Sequence, residues 1–214
     1  MNVNNERKKA LLLGGTGAIG SYLAPLLESL GWDVDVTTRS ARNHSGRHMK
    51  FIQGNAKDDD FLIPLLLKGY DVIVDFMVYK TNEFQRRIKS LLDSRAHYIF
   101  LSSYRVYGDN QGAPIHEGSP RLLETIHDEE YLSTDEYGLA KARQEDLLTT
   151  SKHENWTIIR PAITYSKERF QLGTMEAHEF LRRAIDHKMI VFPREMLSKR
   201  TTMTWAGDVA TMVS

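Results

Sequence analysis

Three glycines constrain this chain more than any other feature. Gly14, Gly17 and Gly20 stand at G-x-x-G-x-x-G spacing between "KALLLG" (Lys9 to Gly14), an apolar run that reads as a buried strand, and "AIGSYLAPLLESLG" (Ala18 to Gly31), which reads as a helix stopped by glycine. Glycines there permit a tight turn, let backbone N–H groups approach a diphosphate, and let the helix pack closely on the strand. Thr16, Ala18 and Ile19 lie among them and share the expected cofactor contact. A purely structural turn in a non-binding α/β domain would need similar glycines. The strand–turn–helix setting is what favours the dinucleotide.

The same alternation continues downstream. Strand-like runs at Trp32 to Thr38, Met49 to Gly54, Tyr70 to Val78, His97 to Ser103 and Trp156 to Pro161 are separated by helix-like stretches at Asp58 to Gly69, Asn82 to Ser94 and Asp135 to Thr150. This pattern predicts an α/β fold: a doubly wound parallel sheet with helices on both faces. Only Gly108 to Thr134 reads as irregular, a surface loop or lid. Residues 1–165 are expected to form the nucleotide-binding domain, and 166–214 a partial substrate lobe.

Bulk properties exclude several classes. At 214 residues, 41% hydrophobic and 26% charged, the chain suits one soluble core, with no apolar run long enough to cross a membrane. "MNVNNERKKA" lacks the apolar stretch of a signal peptide, and the absence of cysteine excludes disulfides and thiol chemistry; both fit a cytoplasmic protein. Equal numbers of basic and acidic residues, 28 each, argue against nucleic acid as a partner. A local basic loop (Arg39, Arg42, His44, Arg47, His48 and Lys50) runs against that average. His44 and His48 have no third ligand at metal spacing, so no metal is expected. Trp156 and Trp205 read as core residues.

The end of the second strand should reach the adenosine ribose. An acid there would accept from a 2′-hydroxyl, but the chain has Thr37, Thr38 and Arg39. A guanidinium suits a 2′-phosphate, which favours NADP over NAD; a solvated loop charge is the alternative reading. Asn55, followed by Ala56 after the third strand, could pair its amide with an adenine edge.

Tyr137 and Lys141, in "YGLAK", are one helical turn apart and share a face. A phenol is a weak base at neutral pH, but a neighbouring ammonium stabilises phenolate and lowers its pKa. Ser103 falls at the C-terminal end of the fifth strand, the edge where open α/β sheets place their ligands, and could hold the same substrate oxygen.

Taken in order, "GGTGAIG", "FLSSYRVYG", "YGLAK" and "IIRPAITY" resemble the extended short-chain dehydrogenase/reductase superfamily, in its nucleotide-sugar epimerase/dehydratase branch. The resemblance covers nearly the whole chain and implies a Rossmann domain with a small, truncated C-terminal substrate lobe. It implies that Ser103, Tyr137 and Lys141 are the catalytic serine, tyrosine and lysine. It further implies that Lys141 binds the nicotinamide ribose, that Pro161 lies against the nicotinamide, and that Phe76 and Lys80 touch cofactor. Tyr104-Arg105 stands where sugar 4,6-dehydratases have Asp-Glu, which argues against dehydration, and "TYS" (Thr164 to Ser166) replaces the usual V-Y-G.

The expected function is thus an NAD(P)-dependent enzyme acting on a nucleotide-activated sugar, most simply a 4-epimerase. The alternatives are an NADP-dependent keto-reductase of the same superfamily, or a catalytically silent member that binds nucleotide or RNA. The expected partner is a nucleotide sugar or similar small molecule, with no membrane; a homodimer is allowed. At the C-terminus, Asp208 is expected to cap a short helix that frays. On that expectation the chain binds cofactor but turns over poorly.

Overall fold

The computed structural model describes residues 6–43, 46–108, 114–172, 175–198 and 200–214. His44 and residues 109–113 of the expected loop lie outside them. Six strands, β1 (Lys9–Leu13), β2 (Asp33–Thr38), β3 (Met49–Gln53), β4 (Val72–Asp75), β5 (His97–Leu101) and β6 (Trp156–Ile159), form one parallel sheet in the order β3-β2-β1-β4-β5-β6. Helices α1 (Gly20–Ser29), α2 (Asp59–Leu66) and α3 (Thr81–Asp93) make the crossovers. After β5 the chain forms two short helices, α4 (Leu122–Thr125) and α5 (Glu129–Ser133), and then α6 (Tyr137–Thr149), which returns it to β6. The stretch expected to be irregular therefore contains α4 and α5, each too short to show helical periodicity in sequence.

Alternation along the strands makes two apolar layers. Leu11 and Leu13 of β1 join Leu62, Ile73, Phe84, Leu91, Tyr98, Phe100 and Leu148 beneath α2, α3 and α6. Ala10 and Leu12 face the other way, onto Leu23, Leu27, Val34, Val36 and Val74 beneath α1. Leu12 aligns with Val36 on one side and Val74 on the other, so β1 is central, and Ala10 to Leu13 are wholly buried and apolar. The strand order reverses direction between β1 and β4. At that switch point the crossovers diverge and leave a crevice beyond the strands' C-terminal ends.

Beyond β6 the strands are short. β7 (Ile163–Tyr165) pairs in parallel with β10 (Met203–Trp205), and β8 (Gln171–Leu172) pairs antiparallel with β9 (Met175–Glu176). Between them, α7 (Ala177–Ile185) buries only Phe180, which meets Phe170 at 5.8 Å between ring centroids. The final helix, α8 (Ala206–Val213), corrects the expectation of a frayed end. Ala206, Val209 and Ala210 are buried, and Ala210 joins the α1 layer. Trp205 takes the N-cap position and Asp208 lies within the first turn, so the capping assignment is corrected too. Trp205 is not a core residue: it is 43% exposed and lies edge-on to Tyr22, 5.4 Å away.

Candidate active site

The glycine loop closes over the end of β1. Gly14 has φ +67°, and a Cβ there would come 2.6 Å from Met77 Sδ. Its N–H donates to Thr37 Oγ1 at 2.8 Å, so buried Thr37 ties the loop to β2. At Gly20 a Cβ would lie 2.3 Å from the Gly15 carbonyl oxygen, which is the close approach that lets α1 start here. Gly17 differs: nothing lies within 4 Å of where its Cβ would be, so the missing side chain leaves free space.

That space belongs to a cleft of about 500 Å³ at the switch point. Gly14, Gly17, Ala18, Ile19, Phe76, Ser103, Tyr137, Lys141 and Pro161 all line it, bringing the first and second motifs together. Thr16, Gly20, Arg39, Asn55, Ala56 and Lys80 do not. Arg39 is exposed beyond β2, while Arg42 stacks its guanidinium 6.0 Å from the Phe51 ring. The Asn55 side chain accepts from Lys57 N–H at 3.1 Å, and Ala56 is buried. Exposed Lys80 takes the N-cap position of α3, its N–H bonded to Glu83 at 2.8 Å. His48 pairs with Asp33 at 2.9 Å. Among the described residues no group of three or more His, Asp or Glu could hold a metal, and no helix is long and apolar enough to cross a membrane.

Tyr137 is the first residue of α6. Glu136 caps that helix by accepting from Gly138 N–H at 2.8 Å, and a Cβ on Gly138 would lie 2.7 Å from the Arg105 carbonyl. Glycine is required there because α6 starts against the turn at Tyr104–Val106 that follows Ser103. Ser103 is buried and accepts from Arg105 N–H at 3.2 Å, and its hydroxyl lies near enough to Tyr137 to favour the phenolate. Burial raises the Tyr137 pKa; the Ser103 hydroxyl and the charges of Arg169 and Arg105 oppose that rise. The foremost positive charges acting on the phenol are those of Arg169 and Arg105.

Lys141 is only 2% exposed and donates to the Leu101 carbonyl at 2.7 Å, with its Nζ 4.3 Å from the Phe100 ring centroid. Burial pushes its pKa down to about 8, against the opposing pull of Asp75 and Glu145. Asp75, wholly buried at the end of β4, accepts from Tyr98 OH at 2.8 Å, Tyr79 OH at 3.1 Å and Met77 N–H at 2.9 Å. Burial raises its pKa, and these bonds and Lys141 pull it back. Ser102, also lining the cleft, is 3% exposed with no partner for its hydroxyl among the described residues. Sequence reading missed Asp75, Ser102, Arg105 and Arg169. The available signal was an acid interrupting "VIVDF" and an arginine two places after the serine.

A sequence profile of the NAD dependent epimerase/dehydratase family matches residues 10–213. The chloroplast stem-loop binding protein of 41 kDa b from Arabidopsis thaliana is 28% identical over 176 residues, which cover 75% of this chain and 43% of that protein. The chain thus spans less than half the length of this curated relative. The Bordetella bronchiseptica enzyme WbmH, solved in complex with NAD+, is similar with a TM-score of 0.75 at 17% identity, covering 97% of this chain and 71% of that one. UDP-glucose 4-epimerase from Brucella ovis, solved in complex with NAD, gives 0.69 at 21% identity, covering 95% and 71%. At these identities the two solved structures speak for the fold.

Proposed function

We propose, from the premise that the chain belongs to the NAD dependent epimerase/dehydratase family, that it inverts C4 of a nucleotide-activated sugar. One observation carries this reading: the glycine loop, Ser103, Tyr137 and Lys141 share a single cleft at the switch point. The cleft also fits a dinucleotide. Gly17 leaves room for a close approach to the start of α1, and the Ser102 hydroxyl is a buried donor still lacking an acceptor. When bound, NAD supplies a hydride acceptor and donor.

The chain's own residues handle the proton and the substrate's position. Ser103 and Tyr137, which line the same cleft, hold the reacting hydroxyl, and Tyr137 Oη takes and returns its proton. Lys141, fixed by Leu101, would bond the nicotinamide ribose, and Pro161 would back the ring. Gly14, Thr16, Gly17, Ala18, Ile19 and Gly20 would surround the diphosphate, while Asn55, Ala56, Phe76 and Lys80 would border the rest of the cofactor. Arg39 would meet a 2′-phosphate where NADP is used. Residues 1–165 would then carry the cofactor and 166–214 the substrate side.

The test is interconversion of UDP-glucose and UDP-galactose with NAD in catalytic amount. The reading expects a mixture of the two sugars with no net change in nicotinamide absorbance. Stoichiometric consumption of the nucleotide would instead make the protein a reductase, and failure to bind NAD would overturn the reading.

A further inference from the structure

We propose that the cleft selects a sugar bearing a carboxylate beside the reacting hydroxyl, and that Arg105 and Arg169 grip it. This rests on the nucleotide-sugar reading above. The Arg105 guanidinium carbon is 5.8 Å from the centroid of the Tyr137 ring, and both arginines line the same cleft as that ring. Each is anchored by a single side-chain hydrogen bond among the described residues: Arg105 Nη2 to Glu136 at 2.7 Å, and Arg169 Nη2 to Glu176 at 2.8 Å.

The two acids have other duties. Glu136 also accepts from Gly138 N–H and from Tyr131 OH at 3.0 Å, and Glu176 accepts from Gln171 at 2.6 Å. They hold the guanidiniums in place and use one donor of each fork, which leaves further N–H groups for a ligand. Arg105, Arg169 and Tyr137 line one cleft, so both guanidiniums border the space where the substrate oxygen must lie. An arginine fork matches a planar carboxylate in two parallel hydrogen bonds.

Position decides which anion is meant. The nucleotide diphosphate leaves a hexose from the anomeric carbon, across the ring from C4. A guanidinium neighbouring the phenol that attends O4 meets the substituents of the adjacent carbons, C3 and C5. A hexose with an acid at that end is a uronic acid, whose carboxylate is attached at C5.

Calorimetric titration of the NAD-loaded protein with UDP-glucuronate and with UDP-glucose tests this. UDP-glucuronate should bind at least tenfold more tightly. Arg105→Met and Arg169→Met should each reduce that advantage severalfold, with NAD titration verifying that the variants are folded. Equal affinity of the wild type for the two sugars would overturn the inference and leave the nucleotide-sugar reading standing. An undiminished advantage in both variants would also overturn it. Binding of neither sugar would overturn the reading itself, and the inference with it.

Discussion

Lys141 and Glu145 stand one turn apart on α6, both buried, and the fold satisfies them very differently. Glu145 is fully enclosed and accepts from Arg160 through Nε and Nη2, each at 2.9 Å, while Arg121 approaches at 3.4 Å. These bonds hold the Arg160 charge firmly in place, and Tyr107 OH adds a contact at 2.7 Å. Lys141, as deeply buried, has one carbonyl and the face of a phenyl ring, and its pKa falls to about 8. A buried charge that only supports the fold is paired and fully hydrogen-bonded. One left short of partners, at the edge of a cleft, has capacity left for a ligand. The lesson is local: a single helix carries a structural clamp and a reactive face in adjacent turns.

The largest effect expected is on the reactive turn. Tyr137→Phe keeps the ring and removes the ionisable oxygen, so turnover should fall by about 10²–10⁴ while NAD affinity changes little. Assay of sugar interconversion beside an NAD titration measures both. Near-normal turnover would remove Tyr137 from the chemistry.

The clamp should fail by a different route. Glu145→Gln leaves the half-buried Arg160 against an uncharged partner, which for a buried pair typically costs about 3–5 kcal/mol in urea unfolding. A loss below about 1 kcal/mol, the level of exposed pairs, would mean that the cluster behaves as a surface salt bridge. An exposed cation supplies the third case. If Arg39 meets a 2′-phosphate, Arg39→Ala should weaken NADP binding by about 1.5–3 kcal/mol and leave NAD nearly unchanged. Equal losses for both, or none, would make Arg39 a solvated loop charge.

Local patterns in the sequence were legible because they report local structure. "KALLLG" became β1 and the Gly14–Gly20 spacing became the turn before α1. The tyrosine and lysine of "YGLAK" do share one face of α6. Long-range satisfaction was not legible. That Lys141 would find the Leu101 carbonyl depends on how α6 packs on β5, which spacing does not encode. Asp75 looked like an ordinary acid, but its three donors come from a second strand and the following loop. Likewise, a small apolar position such as Ala210 did not reveal that α8 would bury it in the layer beneath α1, across nearly the whole chain.

The measurement that tests the difference between the two turns most directly is urea unfolding of Lys141→Met at pH 7, paired with its NAD titration. Ionised and buried, Lys141 costs the fold roughly 3 kcal/mol, given a pKa pushed from 10.5 to about 8. An unpartnered Leu101 carbonyl returns about 1–2 kcal/mol of that. The sign with pH follows from proton binding. The folded chain sheds the Lys141 proton near pH 8 and the unfolded chain near 10.5, so wild-type stability from this group rises across that interval. The variant's advantage should therefore be full below pH 8 and shrink above it. The account predicts a variant at least as stable as wild type at pH 7 that has lost most of its NAD affinity. A destabilised variant that still binds NAD normally would contradict it, and would make Lys141 a structural residue like Glu145.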